Sequence, residues 1–251
     1  MIRPWLPDAA SIPLFGDRKR FGRTPRSGDP DWMRWEQFLP TAYDATQRRG
    51  IGKVVNDAGY RIMRAIDLDG CRVLEIGPGE LPHSPWWSGT PRRYTLVDTR
   101  RDMLERSAAL LRRFGIAHAS VLVSRGSHLP FRRGVFDFVI SFYSLEHLHP
   151  LGDYLEEIDR VLRRGGRLVG AIPCEGGLAW GAGRMLTTRH WLYRDTGLNM
   201  DKIICWEHVN FADDVLSALD QRFDRQIVNF WPARAPLIDV NLVARFIYAA
   251  R

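Results

Sequence analysis

Lysine is almost missing from this chain of 251 residues: only Lys19, Lys53 and Lys202 occur among its 36 basic residues, and the other 33 are arginine. The formal net charge of +7 is therefore an arginine excess, not a polybasic tract. Doublets such as Arg92–Arg93, Arg100–Arg101 and Arg132–Arg133 are scattered and form no stripe interleaved with aromatics, so no nucleic-acid partner is expected. Cysteine is scarce too. Cys71, Cys174 and Cys205 lie far apart without a CxxC partner, which excludes a thiolate zinc site and predicts free buried thiols. No run of about 20 apolar residues exists to cross a membrane. Pro4, Pro7, Asp8, Pro13, Asp17 and Arg18 interrupt the start where a secretory signal needs an apolar core, so a cytoplasmic location is expected.

What is present is 45% apolar content, enough to fill the core of one main α/β domain with additions at its ends. Val73, Leu74, Glu75 and Ile76 form an apolar run that ends in Gly77, Pro78 and Gly79; a second run, Tyr94–Val97, closes on Asp98. Two glycines let a backbone approach a ligand, and an acid about 20 residues further on accepts the hydroxyls of a ribose. The third small residue of a dinucleotide fingerprint is replaced by Pro82, and no Lys followed by Ser or Thr makes a Walker phosphate cradle. Asp98 has a second reading as a helix N-cap, because Met103 and Leu104 follow closely.

The ordered set Glu75, Gly77, Gly79 and Asp98, then Leu129–Pro130–Phe131, Phe136–Ser141, Ser144–Leu148 and Ile158–Pro173, resembles the class I S-adenosylmethionine-dependent methyltransferases, in their small-molecule, type 11-like branch. The resemblance covers about residues 70–175. It implies a Rossmann-like, doubly wound, seven-stranded and mostly parallel sheet with one antiparallel strand. S-adenosyl-L-methionine would be the cofactor, held by Glu75, Gly77, Gly79, Asp98, Met103, Gly126, Ser127 and Ser141. The family commonly has an acid for the adenine amine where this chain has Arg125, which either stacks on adenine or faces solvent.

Periodicity predicts strands at 71–76, 94–98, near 119–123, 136–142, 167–172, 223–230 and 241–249, and helices at 41–66, 102–114, 151–164 and 211–221. Pro82 and Pro85 should shorten the first crossover, with Trp86 and Trp87 filling the gap. Residues 1–40, with six prolines, three glycines and Trp5, Trp32 and Trp35, read as an extended arm with aromatic anchors. Domains of 1–66 (arm and helix, a lid) and 67–251 follow, with a long insertion at 174–210 that carries Trp180, Trp191, Tyr193 and Trp206 and is expected to help cover the substrate.

His147, Glu207 and His208 are the candidate catalytic residues, Asn210 an orienting partner; His147 alternatively makes a structural bond to a backbone carbonyl. No metal is expected at His147 and His149, because alternate residues at a strand end rarely converge on an ion without a carboxylate partner. The expected activity is methyl transfer to a small or medium organic acceptor, most readily at oxygen, by a transferase that works alone or as a homodimer. A cofactor-binding protein without transfer activity and an RNA methyltransferase are the alternatives.

Overall fold

In the computed structural model, residues 1–47, 50–123, 127–189, 194 and 196–251 are described, with residues 39–47 and 188 by backbone only. Seven strands form one sheet: β1 Arg72–Ile76, β2 Arg93–Asp98, β3 His118–Leu122, β4 Phe136–Phe142, β5 Leu162–Pro173, β6 Asp224–Pro232 and β7 Asn241–Ala249. Their order is β3-β2-β1-β4-β5-β7-β6, and every pairing is parallel except those of β7 with β5 and β6. The Rossmann-like α/β expectation holds, including its one antiparallel strand.

Side chains alternate across the sheet as strand geometry demands. Leu74, Val139, Leu168 and Ile172 pack on one face against the helices Leu151–Val161 and Ala212–Arg222. Val73, Tyr94, Leu96, Ile140 and Val169 pack on the other, against Arg101–Arg113 and Gly50–Tyr60. Strand order reverses between β1 and β4, so both diverge at their carboxyl ends, where open sheets of this type hold ligands.

Three expectations are corrected. Residues 1–40 are not extended: helices run over Asp8–Phe15, Arg18–Phe21 and Pro30–Gln47, and the expected helix at 41–66 is divided among Pro30–Gln47, Gly50–Tyr60 and a 3-10 turn at Arg61–Ala65. Proline fits a first helical turn, which has no use for the missing N–H. Thus Pro30 starts a helix whose first turn is capped by Asp29 Oδ1, which accepts from Asp31 and Trp32 N–H. The insertion at 174–210, whose length reads in sequence as a long loop, carries helical elements at Leu178–Arg184 and Met200–Glu207 and a π-turn at Met185–Arg189. Trp191 and Tyr193 lie outside the described residues. Helix Leu151–Val161 ends before 164, because β5 begins at Leu162, across a register shift opposite Phe136–Phe138.

The first crossover is indeed short, a single 3-10 turn at Ser84–Trp86. A polar chain holds it in place of a helix. Trp87 Nε1 donates to His83 Nδ1 at 2.8 Å, which leaves Nε2–H to donate to Glu75 at 2.8 Å, while the Tyr94 hydroxyl donates to the other Glu75 oxygen. Trp87 stacks on the Tyr94 ring at 5.1 Å. A carboxylate this deep is tolerated because both of its oxygens are satisfied.

Candidate functional site

A cleft of about 260 Å³ opens at the carboxyl ends of β1, β2 and β4. Ile76 and Gly77 form its floor, Val97, Asp98 and Thr99 one wall, Val123, Ser127 and Leu129 a second, and Ser144, His147, Leu148 and Tyr154 the end below β4. Gly77 has φ +68°, and a Cβ there would run into Ser144 Oγ. Ser144 cannot simply yield, since its hydroxyl reaches the carbonyls of Ile76 at 3.3 Å and Phe142 at 3.2 Å. Gly79 needs glycine for its φ of +56° alone, with open space where a Cβ would stand. The floor is thus bare backbone, as close ligand approach requires.

Asp98 ends β2 at the cleft wall. Its Oδ1 accepts from Arg100 N–H at 2.8 Å, and Arg100 is the N-cap of the following helix, so the capping reading of Asp98 is set aside. Desolvation raises the Asp98 pKa, against the pull of that backbone bond and the Arg100 charge. A partly desolvated carboxylate at this position is suited to accept from two vicinal hydroxyls.

Of the other residues expected around a cofactor, Ser127 lines the cleft and Gly126, with Arg125, lies outside the described residues. Glu75 is not at the cleft: strand alternation turns it to the opposite face, where His83 and Tyr94 occupy both oxygens. Ser141 is fully buried within β4 with an unpartnered hydroxyl, and half-buried Met103 is not among the lining residues. These three, and Gly79 as well, are not among the residues that line the cleft in this structure.

At its β4 end the cleft meets a titratable cluster. The His147 ring lines the cleft and donates through Nδ1 to the Glu207 carbonyl at 2.5 Å, the backbone bond anticipated for it. The His208 ring sits 4.8 Å from it, edge to face. His208 is oriented by Glu175, whose Oε2 accepts from His208 Nδ1 at 2.9 Å and whose two oxygens also receive the Arg184 guanidinium at 2.7 and 2.9 Å. Asn210 instead ties the β4 turn down, with Nδ2 donating to the Leu145 carbonyl at 2.9 Å and that of Leu148 at 2.7 Å.

Charge states follow from these contacts. Burial alone would raise the pKa of Glu175, but Arg184 and His208 hold it down to about 2. Burial opposes protonation of His208, yet the Glu175 hydrogen bond and the charges of Glu175, Glu207 and Glu146 raise its pKa. His147 moves the other way, lowered by desolvation and by the neighbouring His208. Burial pushes Glu146 up to about 7 and also raises Glu207.

Sequence reasoning missed Glu146 and Glu175 as members of the cluster. Glu175 had a signal, an acid directly after the apolar end of β5, and Glu146 stood within a motif without a role.

The N-terminal helices bind the insertion that carries His208. Arg18 donates to the carbonyls of His208 at 2.5 Å and Val209 at 2.8 Å, and with Arg3 it encloses the Phe211 ring, their guanidinium carbons 3.4 and 3.7 Å from its centroid. Trp206 Nε1 donates to the Phe21 carbonyl at 3.0 Å, and Trp35 packs with Leu198, Met200, Ile203 and Ile204. Among the described residues no helix is long and apolar enough to cross a membrane.

The family described as Methyltransferase domain matches residues 74–170, the span from β1 to β5. A fatty-acid O-methyltransferase of Mycolicibacterium smegmatis is 36% identical over 103 residues, 40% of this chain and 36% of that protein. Across the curated relatives it matches, this chain spans 20–46% of their length. Among solved structures, the N-methyltransferase NodS from Bradyrhizobium japonicum, in complex with S-adenosyl-L-homocysteine, aligns over 88% of this chain and 99% of its own, with a TM-score of 0.58 and 15% identity. The [4+2]-cyclase SpnF aligns over 90% and 96%, with a TM-score of 0.59 and 14% identity, so the same fold carries more than one chemistry. Sheet order, the glycine floor with its acidic wall, and the sequence match together identify residues 74–170 as a methyltransferase domain built on the Rossmann-like sheet.

Proposed function

We propose that this protein transfers a methyl group from S-adenosyl-L-methionine to a small or medium organic acceptor, at oxygen. The observation that carries the reading is the cleft at the strand-order reversal, with the bare Gly77 backbone on its floor, Asp98 on its wall and the His147–His208 cluster at its far end. When bound, the cofactor supplies an electrophilic methyl group on a sulfonium, already a strong donor. The residues of the chain then have to bind, align and exclude water.

Asp98 would take the ribose hydroxyls, Gly77 and Gly79 would admit the nucleoside along the backbone, and Ser127 would lie beside the base. At the acceptor end, His208 has the arrangement of an oriented base: Glu175 holds its Nδ1–H and leaves Nε2 for the acceptor's proton. A raised pKa keeps that imidazole near the working range of a proton carrier. His147, anchored through Nδ1, presents its Nε2 to the cleft, and Glu207 supplies the anchoring carbonyl. The N-terminal segment 1–66 and the insertion 174–210 would serve as the acceptor cover, which the Arg18 and Trp206 bonds hold together.

Oxygen is favoured because an oriented base has most to contribute where a hydroxyl must lose a proton, whereas a neutral amine has only to arrive unprotonated. The test is transfer of labelled methyl from S-adenosyl-L-methionine to a panel of hydroxylated, carboxylated and amino acceptors. Label on oxygen, lost in His208→Asn with cofactor binding retained, supports the reading. Tight cofactor binding with no transfer to any acceptor would favour a non-catalytic binder, and salt-steep RNA binding with label on RNA a nucleic-acid enzyme.

A further inference from the structure

We propose that Glu146, His147 and His208 form a binding site for one first-row divalent cation of the zinc type, next to the cleft. Their ligand atoms all lie within 4.8 Å of one another. They come from two distant parts of the chain: Glu146 and His147 from the turn after β4, His208 from the end of the insertion. Glu146, next to His147 in sequence, supplies the carboxylate, and the insertion supplies the second imidazole in place of His149.

Hydrogen bonding decides what this cluster presents. His147 Nδ1 donates to the Glu207 carbonyl and His208 Nδ1 donates to Glu175 Oε2. Each bond fixes the tautomer that leaves Nε2 with an exposed lone pair, as a carbonyl or carboxylate behind a metal-bound histidine does. Glu146 is 2% exposed; its Oε1 lies 4.0 Å from His147 Nε2, and its Oε2 is buried with no hydrogen-bond partner. With the carboxylate ionised and both imidazoles neutral, three acceptors converge on one point. One proton can satisfy two of them, whereas one cation satisfies all three, and a buried unpartnered carboxylate oxygen is costly to leave as it is.

Zinc binds imidazole nitrogen and carboxylate oxygen at about 2.0–2.2 Å, which places ligand atoms roughly 3–4 Å apart. Closing from the present separations needs shifts below about 1 Å on that reckoning, and the 39% exposed His147 side chain has room to move. Two imidazoles and a carboxylate suit zinc, cobalt or iron better than magnesium or calcium, which prefer all-oxygen sets. Three protein ligands leave a coordination position open.

The chemical consequence rests on the functional reading above. A hydroxyl of the acceptor on the open position would lose its proton to water more readily, and its oxygen lone pair would form the new bond to the methyl carbon as the carbon–sulfur bond breaks. Products are the methyl ether or ester, S-adenosyl-L-homocysteine and the released proton. The ion would then take over at the acceptor oxygen the part that the His208 imidazole plays without it.

Titration of the full, tag-free chain with Co2+ and Zn2+, followed by calorimetry and by the visible absorption of Co2+, tests the site apart from methyl transfer. S-adenosyl-L-homocysteine affinity is measured on the same samples. Expected is one equivalent bound, with a cobalt band that Zn2+ displaces; Glu146→Gln and His208→Ala should abolish it, and Glu175→Gln should weaken binding about 10–100-fold through the lost bond behind His208. His128→Ala, at the separate His128–Glu157 pair, should leave it unchanged. Binding that survives both His208→Ala and Glu146→Gln, or no saturable binding at millimolar ion by a chain that still takes up S-adenosyl-L-homocysteine, overturns the proposal. Failure to bind S-adenosyl-L-homocysteine alone counts against the functional reading and leaves the ion result to be read by itself.

Discussion

Replacing Gly77 by alanine perturbs the floor of the cleft in two separable ways. A φ of +68° costs a residue with a Cβ roughly 1–2 kcal/mol. The new Cβ also meets Ser144 Oγ, whose displacement gives up its bond to the Ile76 or Phe142 carbonyl, worth about 1 kcal/mol. The sum is about 2–3 kcal/mol, which for a chain of this size lowers Tm by roughly 4–12 °C. Gly79→Ala pays the conformational part only, since nothing stands where its Cβ would go, and should cost about 1–2 kcal/mol. The collision can be isolated with Ser144→Ala, which alone removes a hydroxyl and costs about 1 kcal/mol. In Gly77→Ala/Ser144→Ala that same loss is not paid twice, so the double variant should be no less stable than Gly77→Ala, a coupling of about 1 kcal/mol. Chemical denaturation of the four proteins measures it. Additivity within about 0.3 kcal/mol, or Gly77→Ala no worse than Gly79→Ala, would refute the claim that Ser144 shapes this floor.

The loop that carries Leu129 is pinned by Arg160, which donates to the Leu129 and Phe131 carbonyls and is itself held by Glu157. That Arg160 bond and charge, against the opposing cost of burial, hold Glu157 at about 2, below its ordinary 4.5. Its contribution, about 2–3 kcal/mol, is therefore complete above pH 4.5 and lost as pH falls towards 2; Glu157→Gln should flatten the acid limb of a stability–pH curve, and an unchanged limb would contradict this. Tyr94→Phe leaves one buried Glu75 oxygen unsatisfied and should cost about 1–3 kcal/mol in unfolding while changing S-adenosyl-L-homocysteine affinity less than about threefold, because Glu75 is off the cleft. Arg18→Met removes the two bonds to the His208 and Val209 carbonyls and the contact on Phe211; expected are faster proteolysis within the insertion and a raised acceptor KM, with cofactor affinity kept.

Much of the sheet was legible because β1, β2 and β4 are short, mainly apolar runs closed by a turn, and local sequence determines both features. The helical N-terminal segment was not, since proline marks an extended arm and the first turn of a helix alike, and only the partner surface of the insertion distinguishes them. Among the site residues, Gly77 and Asp98 were placed by spacing to a strand end. Glu75 was misassigned although period-two alternation sets it opposite Leu74 and Ile76; the motif indicated proximity in sequence, and the strand decided the face. The Glu175–His208 bond joins residues 33 apart across the insertion, and no pattern in one sequence announces such a meeting.

The central claim is that the cleft beyond β1 and β2 grips the adenosyl group of the methyl donor through Asp98. Calorimetric titration of the wild type and Asp98→Ala with S-adenosyl-L-homocysteine tests it most directly. Saturable one-to-one binding is predicted, weakened about 10–100-fold in Asp98→Ala by the loss of charge-assisted bonds of roughly 1.5–3 kcal/mol. Equal affinity in the two proteins, or no binding to either at millimolar ligand, would contradict the account.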